Sequence, residues 1–221
     1  MHHLTRPLRR LARLARDASG VAILEFALIA PVFLVTLLFG LEIVMFALAQ
    51  SQVSRVANST ADLAARYRAS IDEADVQQLF LGARLSAEGI DFAEHGRLLL
   101  SSVTRNQSNN GHWIRWQRCE GELDEESELG DQGDGQSDTA IATVDGLMLN
   151  TGDNIMVAEA VFEYQPFIYP DAVFDEIFGG RRITYRSSYM AREIALPSLT
   201  NTTGIPSSAW QTMANDCPAS S

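Results

Sequence analysis

The sequence predicts an α+β protein: a single N-terminal transmembrane helix, extended into an amphipathic helix, packed on a small antiparallel β-sheet domain. Three observations predict it. The stretch from Val21 to Ala49 is apolar, with Glu25 and Glu42 as its only charges. Apolar residues at helical spacing continue beyond it to Tyr67. After Arg97 the period shortens, and four segments rich in branched and aromatic residues read as strands.

The first element is a leader, residues 1–20. Arg6, Arg9, Arg10, Arg13 and Arg16 against Asp17 give it a net +4, so the rest of the chain carries −15 of a total −11. A basic leader before an apolar helix reads as positive-inside, which puts the leader in the cytoplasm and exports the acidic body. That body is the wrong partner for nucleic acid, whose phosphates select clustered cations. The chain contains no lysine, so every basic side chain is arginine.

The second element, residues 21–49, is long enough to cross a bilayer, which takes about 20 residues, whereas a cleaved secretory signal uses an apolar core of about 7–15. Phe26 to Leu41 has Thr36 as its only polar side chain. Ala47-Leu48-Ala49 before Gln50 nevertheless fits a small-x-small cleavage pattern, and Arg9-Arg10 touches the twin-arginine export pattern. An anchor, a cleaved signal and a plain snorkelling Glu25 therefore all stand as readings of this stretch. Pro31 is expected to kink the helix, and Gly40 offers a small surface for helix–helix approach.

Glu25 demands the most explanation. A carboxylate deep in a bilayer costs roughly 2.5–3.5 kcal/mol on insertion scales, and such acids usually mark a partner. A cut after Gly20 would make Val21 a cationic amine at a helix N-terminus, with the carboxylate at its fifth position. That acid could then pair with its own amine or with a neighbouring subunit's, and an anion there complements the helix dipole.

Ser19-Gly20-Val21-Ala22-Ile23-Leu24-Glu25-Phe26-Ala27-Leu28-Ile29-Ala30-Pro31 resembles the processing site of type IV prepilin-like proteins. More closely, it is similar to the start of TadE-like proteins, pseudopilins of the tight-adherence (Flp pilus) system. The Glu-Phe-Ala-Leu run with Pro six residues after the Glu carries most of that similarity, and Glu42 matches a second intramembrane acid of many relatives. Phe26 stands where Flp-type sites often have Tyr. The resemblance covers residues 18–60. It implies cleavage between Gly20 and Val21 by a prepilin peptidase, with Glu25 and Phe26 as a subunit assembly contact. It also implies partners: other pilin and pseudopilin subunits, the inner-membrane pilus assembly platform and membrane lipid. The protein would sit in the inner membrane with its N-terminus cytoplasmic and its C-terminal domain periplasmic, or enter an extracellular pilus.

Residues 50–89 read as a helical stalk. Val53, Val56, Thr60, Leu63 and Tyr67 fall at spacings of 3, 4, 3 and 4, which builds one apolar stripe. That stripe packs on the protein's own sheet or on another pilin helix. Ser70 with Glu73 is a candidate capping box for a second helix to about Ala87, with Val76, Leu79, Phe80 and Ala83 as its core face and Gly89 as its stop.

Residues 90–196 read as a periplasmic α+β domain. The strands are expected over Arg97–Thr104, His112–Arg118, Ile155–Tyr164 and Ile183–Ile194, with a turn at Asn106–Gly111 and a short helix over Asp171–Phe178. Residues 120–138 form an acidic loop. Its carboxylates would suit calcium, but Asp131-Gln132-Gly133-Asp134-Gly135 misses the DxDxDG spacing, and a solvated, mobile insertion is the plainer expectation. Residues 197–221 read as a loose tail.

Cys119 and Cys217 lack CxxC or Cys/His metal spacing, so no metal ligand set is expected. In an exported body a disulfide between them is the natural reading, and two unpaired thiols the alternative. No catalytic residues or cofactors are expected: His2 and His3 lie in the leader, His95 and His112 in apparent loops, with no nucleophile motif beside them. The remaining alternative to a pseudopilin is a membrane-anchored or secreted periplasmic binding module with no pilus role.

Overall fold

A computed structural model of the chain describes residues 19–67, 71–108, 110–137, 144–191, 199 and 217. Residues 1–18 of the leader, Ser70, Asp138 and most of the tail lie outside these. The chain divides into two compact units, Met1–Met45 and Phe46–Ser221.

The described part of the first unit is the beginning of helix α1, Ser19–Ala65. Its side chains are exposed from Gly20 to Leu37, save a partly covered Ala30. Consecutive exposed Val, Ile, Leu and Phe make this stretch apolar all round, which suits lipid and not water. By length and composition it is a candidate membrane span. Pro31 lies inside the helix and lacks the N–H that would bond the carbonyl of Ala27. Thr36 Oγ1 donates to the Val32 carbonyl at 2.9 Å, which hides its hydroxyl from the apolar surroundings.

The second unit contains a four-stranded antiparallel sheet in the order β2-β1-β3-β4. The strands are β1 Gly96–Arg105, β2 His112–Glu120, β3 Asn154–Glu163 and β4 Arg182–Met190. Helix α2 is Glu73–Ser86; a 3-10 turn at Glu88–Ile90 and a one-turn helix α3, Phe92–His95, lead into β1. Helix α4, Asp171–Phe178, joins β3 to β4. The α+β expectation holds. β4 ends at Met190, and residues 192–194 of its expected extent lie outside the described residues.

One face of the sheet carries the main core. Leu98, Leu100, Trp116, Met156, Ala158, Ala160 and Phe162 meet Ala49, Val53, Val56, Ala57, Ala61 and Ala64 of α1, and Val76, Phe80 and Ala83 of α2. The α1 stripe differs from the one read by spacing. Val53, Val56 and Thr60 are buried, but Leu63 is 49% exposed and the buried line continues through Ala57, Ala61, Ala64 and Ala65. Small side chains let the helix lie close to the strands, and a period of 3.6 carries an i, i+3, i+4, i+7 row gradually off the contact line.

Helix α2 is capped by Asp72, whose Oδ1 accepts from Ala74 N at 3.2 Å, while Asp75 Oδ2 accepts from Asp72 N at 2.9 Å. This capping box replaces the one expected of Ser70 and Glu73. Glu73 instead points into the fold, where it holds Arg118 of β2 bidentately at 2.6 and 3.2 Å with both side chains buried.

The other sheet face has a smaller core of Val103, Ile114, Val144, Leu149, Ile155 and Val157, with Leu129 packed against it. Among the described residues, Leu129, Val144 and Leu149 provide its cover, while most of the acidic side chains of residues 120–137 stay at the surface. Gly133 N donates to Ile114 O at 2.8 Å, and Ile114 N to Asp134 O at 3.0 Å, so the loop pairs with the outer edge of β2. A covered edge cannot recruit another strand. Gly135, at φ +81°, passes so close that a Cβ would lie 1.9 Å from His112 O. Two acids of the loop pair with arginines of β4: Glu125 bonds Arg182, and Glu128 bonds Arg186 at 3.3 Å.

Candidate functional site

The residues that the sequence marks as functional fall into two groups. Gly20, Val21, Glu25, Phe26 and Pro31 share the opening turns of α1. Cys119 and Cys217 join in a disulfide, with Cα atoms 5.2 Å apart and a sequence separation of 98. Cys119 is fully buried in β2, so the bridge ties Cys217 to the sheet itself.

Helix α1 already includes Ser19 and Gly20. Nothing among the described residues lies within 4 Å of a Cβ built at Gly20, and its φ is not in the left-handed region. Neither packing nor backbone geometry here requires glycine, which costs a helix about 1 kcal/mol relative to alanine. Val21 and Glu25 stand four apart, one above the other on a single helix face. Glu25 is exposed, as is Phe26 at 72%. The Glu25 carboxylate therefore sits on the outside of a helix whose neighbouring side chains are Val, Ala, Ile, Leu and Phe. Glu42, by contrast, is fully buried.

The ionisable groups elsewhere serve the fold. Glu159 on β3 is 2% exposed, and burial pushes its carboxyl above the ordinary glutamate range, offset by the hydroxyl of Ser127 and the charge of Arg186. Arg186 Nη1 stands 3.6 Å from Glu159 Oε1 and its Nε 3.0 Å from Asp145. Burial also raises Glu120, against the pull of Arg84 at 3.1 Å. The Tyr185 hydroxyl is held below its usual range by side-chain hydrogen bonds from Ser54 and Asn58 of α1. None of these groups lies beside a nucleophile in a cleft.

His112 does not sit in a loop. It is the first residue of β2, fully buried, and its Nε2 accepts the N–H of Leu149 at 2.9 Å. Among the described residues, no three His, Cys, Asp or Glu side chains converge as a metal site. An open groove of about 590 Å³ between α1 and α2 is lined by Thr60, Leu63, Tyr67, Leu79 and Ala83, without a charged cluster. Sequence reasoning did not foresee it, because it depends on Leu63 turning outward.

Residues 20–62 match the family model of TadE-like proteins. No curated protein and no solved structure matches the chain.

Proposed function

We propose that this chain, TadE-like over residues 20–62, is a pseudopilin that takes part in assembly of a Flp/tight-adherence pilus. The TadE-like match by itself supports a pilus-related role of a structural, non-enzymatic kind. The membrane-length apolar helix supports an anchor in a membrane. The finer reading is that a prepilin peptidase cuts between Gly20 and Val21 at the cytoplasmic face. Val21 then starts the mature helix, and the body lies in the periplasm or within the fibre.

The observation that carries this reading is the exposed Glu25, stacked over Val21 on an otherwise apolar helix. Insertion gains nothing from the acid. Once Val21 carries a free amine, the carboxylate one turn away has a cation to meet, its own or that of an adjoining pilin or pseudopilin, and the helix dipole favours it. Phe26 extends the same contact with apolar area. The glycine fits too, since a peptidase needs an extended scissile segment and Gly20 weakens the first helical turn. A cut after Ala49 finds less support, because Ala49 is buried and Phe46 packs edge-on against Tyr164 and Phe174. Removing them would strip the core.

Sequencing the mature N-terminus from cells tests the cut. Val21 is the expected first residue; Gln50 would mean a cleaved signal and Met1 a plain anchor, and either would overturn the reading. Gly20→Leu should arrest maturation. Glu25→Ala should insert as well as the natural protein or better while pilus assembly fails, and normal pili in that variant would remove the role assigned to Glu25.

A further inference from the structure

The segment between β3 and β4 displays apolar side chains that the core does not use. Phe167 is 82% exposed, and on α4 Val173 and Ile177 are 42% and 49% exposed. Val173 and Ile177 lie four apart and stand together on one side of α4. The adjoining side of the same helix is committed to the fold. Phe174 is buried, stacks on Phe178 with centroids 4.4 Å apart, and meets Phe46 edge-on at 5.3 Å. Tyr164 closes the cluster 5.1 Å from Phe46. Helix α4 is thereby fixed against Phe46.

Phe46 has a special place in the chain. About 20 residues cross the hydrocarbon of a bilayer, so a span that begins at Val21 leaves it near Leu41 and reaches the headgroup zone by Phe46. The covalent chain thus keeps Phe46, and the aromatic cluster packed on it, within a short reach of the membrane surface. The nearby charges select the kind of surface. Arg181 bridges Asp171 at 2.7 Å, Asp175 at 3.2 Å and Glu163 at 3.1 Å, one cation among three carboxylates, so the cluster beside the apolar side chains stays acidic and repels an anionic leaflet. Glu176 remains exposed and disfavours an anionic surface.

We propose that Phe167, Val173 and Ile177 form a second membrane contact, an interfacial face that dips into the headgroup–acyl boundary of a zwitterionic lipid leaflet. Interfacial helices of this kind bury their apolar side about 5–10 Å into that boundary. One helix through a bilayer leaves the domain it carries able to swivel; a second point of contact fixes its orientation. The inference rests on the reading of α1 as a membrane span.

The full chain in phosphatidylcholine vesicles tests it, with single added tryptophans at exposed positions: Phe167→Trp, Ile177→Trp, Leu34→Trp in the span and Leu85→Trp on α2. Emission is read as the difference from the unsubstituted chain, in vesicles with and without lipid brominated near the headgroup end of its acyl chains. Expected are a blue shift and loss of most of the added emission for Phe167→Trp and Ile177→Trp, with Leu85→Trp unaffected. If those two behave like Leu85→Trp while Leu34→Trp is blue-shifted in the bilayer, the interfacial face is refuted and the span stands. If Leu34→Trp reports water, the span reading fails and this inference with it. Equal quenching at Leu85 would also overturn it, since contact with lipid would then be indiscriminate.

Discussion

Read as a candidate membrane span that runs on into a folded domain, helix α1 is one element in two solvents. From Gly20 to Leu37 it carries large apolar side chains that stand exposed all round. From Ala49 to Ala65 the buried positions are largely alanine, with Val53, Val56 and Thr60, against the sheet. Large and branched side chains suit lipid, where each methylene stays in an apolar medium whichever way it points. Small ones suit a protein interior where the helix must approach strands closely. The helix thus reads its surroundings through side-chain volume as much as through polarity, and the two stretches should respond oppositely to the same substitution.

An acid separates them most sharply. Val53→Asp would bury an unpaired carboxylate under the sheet and should cost more than about 4 kcal/mol, enough to unfold the domain. Val35→Asp should leave the domain's melting untouched and cost insertion roughly 2.5–3.5 kcal/mol instead. Thermal melts of both full chains in vesicles decide it, and similar melting would dissolve the contrast.

Next in size comes the ion pair that docks α2 on β2. Glu73→Ala strands Arg118 with its charge uncompensated in the interior and should cost about 3–5 kcal/mol in urea unfolding. A loss below that of an ordinary surface pair would mean that Gln132, which accepts from Arg118 Nη1 at 3.0 Å, already suffices. Cys217→Ser should lower stability by about 2–4 kcal/mol through loss of the crosslink, while the candidate span keeps its insertion unchanged.

The pH response of the loop-covered face is smaller. Burial raises Glu159, so the folded state holds that proton more tightly than the unfolded chain does. Its contribution is complete below the ordinary glutamate pKa and is lost as pH rises through the elevated folded value. Glu159→Gln keeps the neutral form throughout, so its advantage over the natural chain should grow with pH across that window. Glu120, raised in the same direction, leaves some slope behind in both proteins. Parallel stability curves would show that Arg186 and Ser127 fully satisfy the ionised group. Smallest of all, Leu34→Ala should leave domain melting unchanged, because that side chain has only lipid to lose.

What could be read from the sequence follows from how local each signal is. The four strands, α4 and the candidate span announce themselves through short-range periodicity and flanking turn residues. The pairing of Cys119 with Cys217 needed only two cysteines and an exported compartment. Leu63 misled because alanine barely registers in an apolar pattern, so Ala57, Ala61 and Ala64 were outweighed by one leucine on the wrong side. Asp72 and Ser70 both suit an N-cap by residue type, and the choice of Asp72 goes with Asp75 closing the box and Glu73 pairing with Arg118. The acidic loop was legible only in part: its composition is that of a solvated chain and says nothing of where the chain runs. Its place is set by backbone bonds to Ile114 and by Arg182 and Arg186, which lie far away in the chain. At the candidate site, Gly20 and Glu25 stand out in the sequence because each is locally costly in an apolar helix, and Phe26 through the resemblance alone, whereas the proposed face of Phe167, Val173 and Ile177 is suggested only once α4 is set against Phe46.

The bridge from Cys119 to Cys217 also orders events in time. Its two sulfurs are made 98 residues apart, and both must reach an oxidising compartment before they can join. On the proposed topology, a closed bridge is therefore a chemical receipt that β3, α4 and β4 have all crossed the membrane behind β2. A subunit still caught in translocation would carry two thiols, and a thiol-reactive label would tell it apart from one ready for assembly.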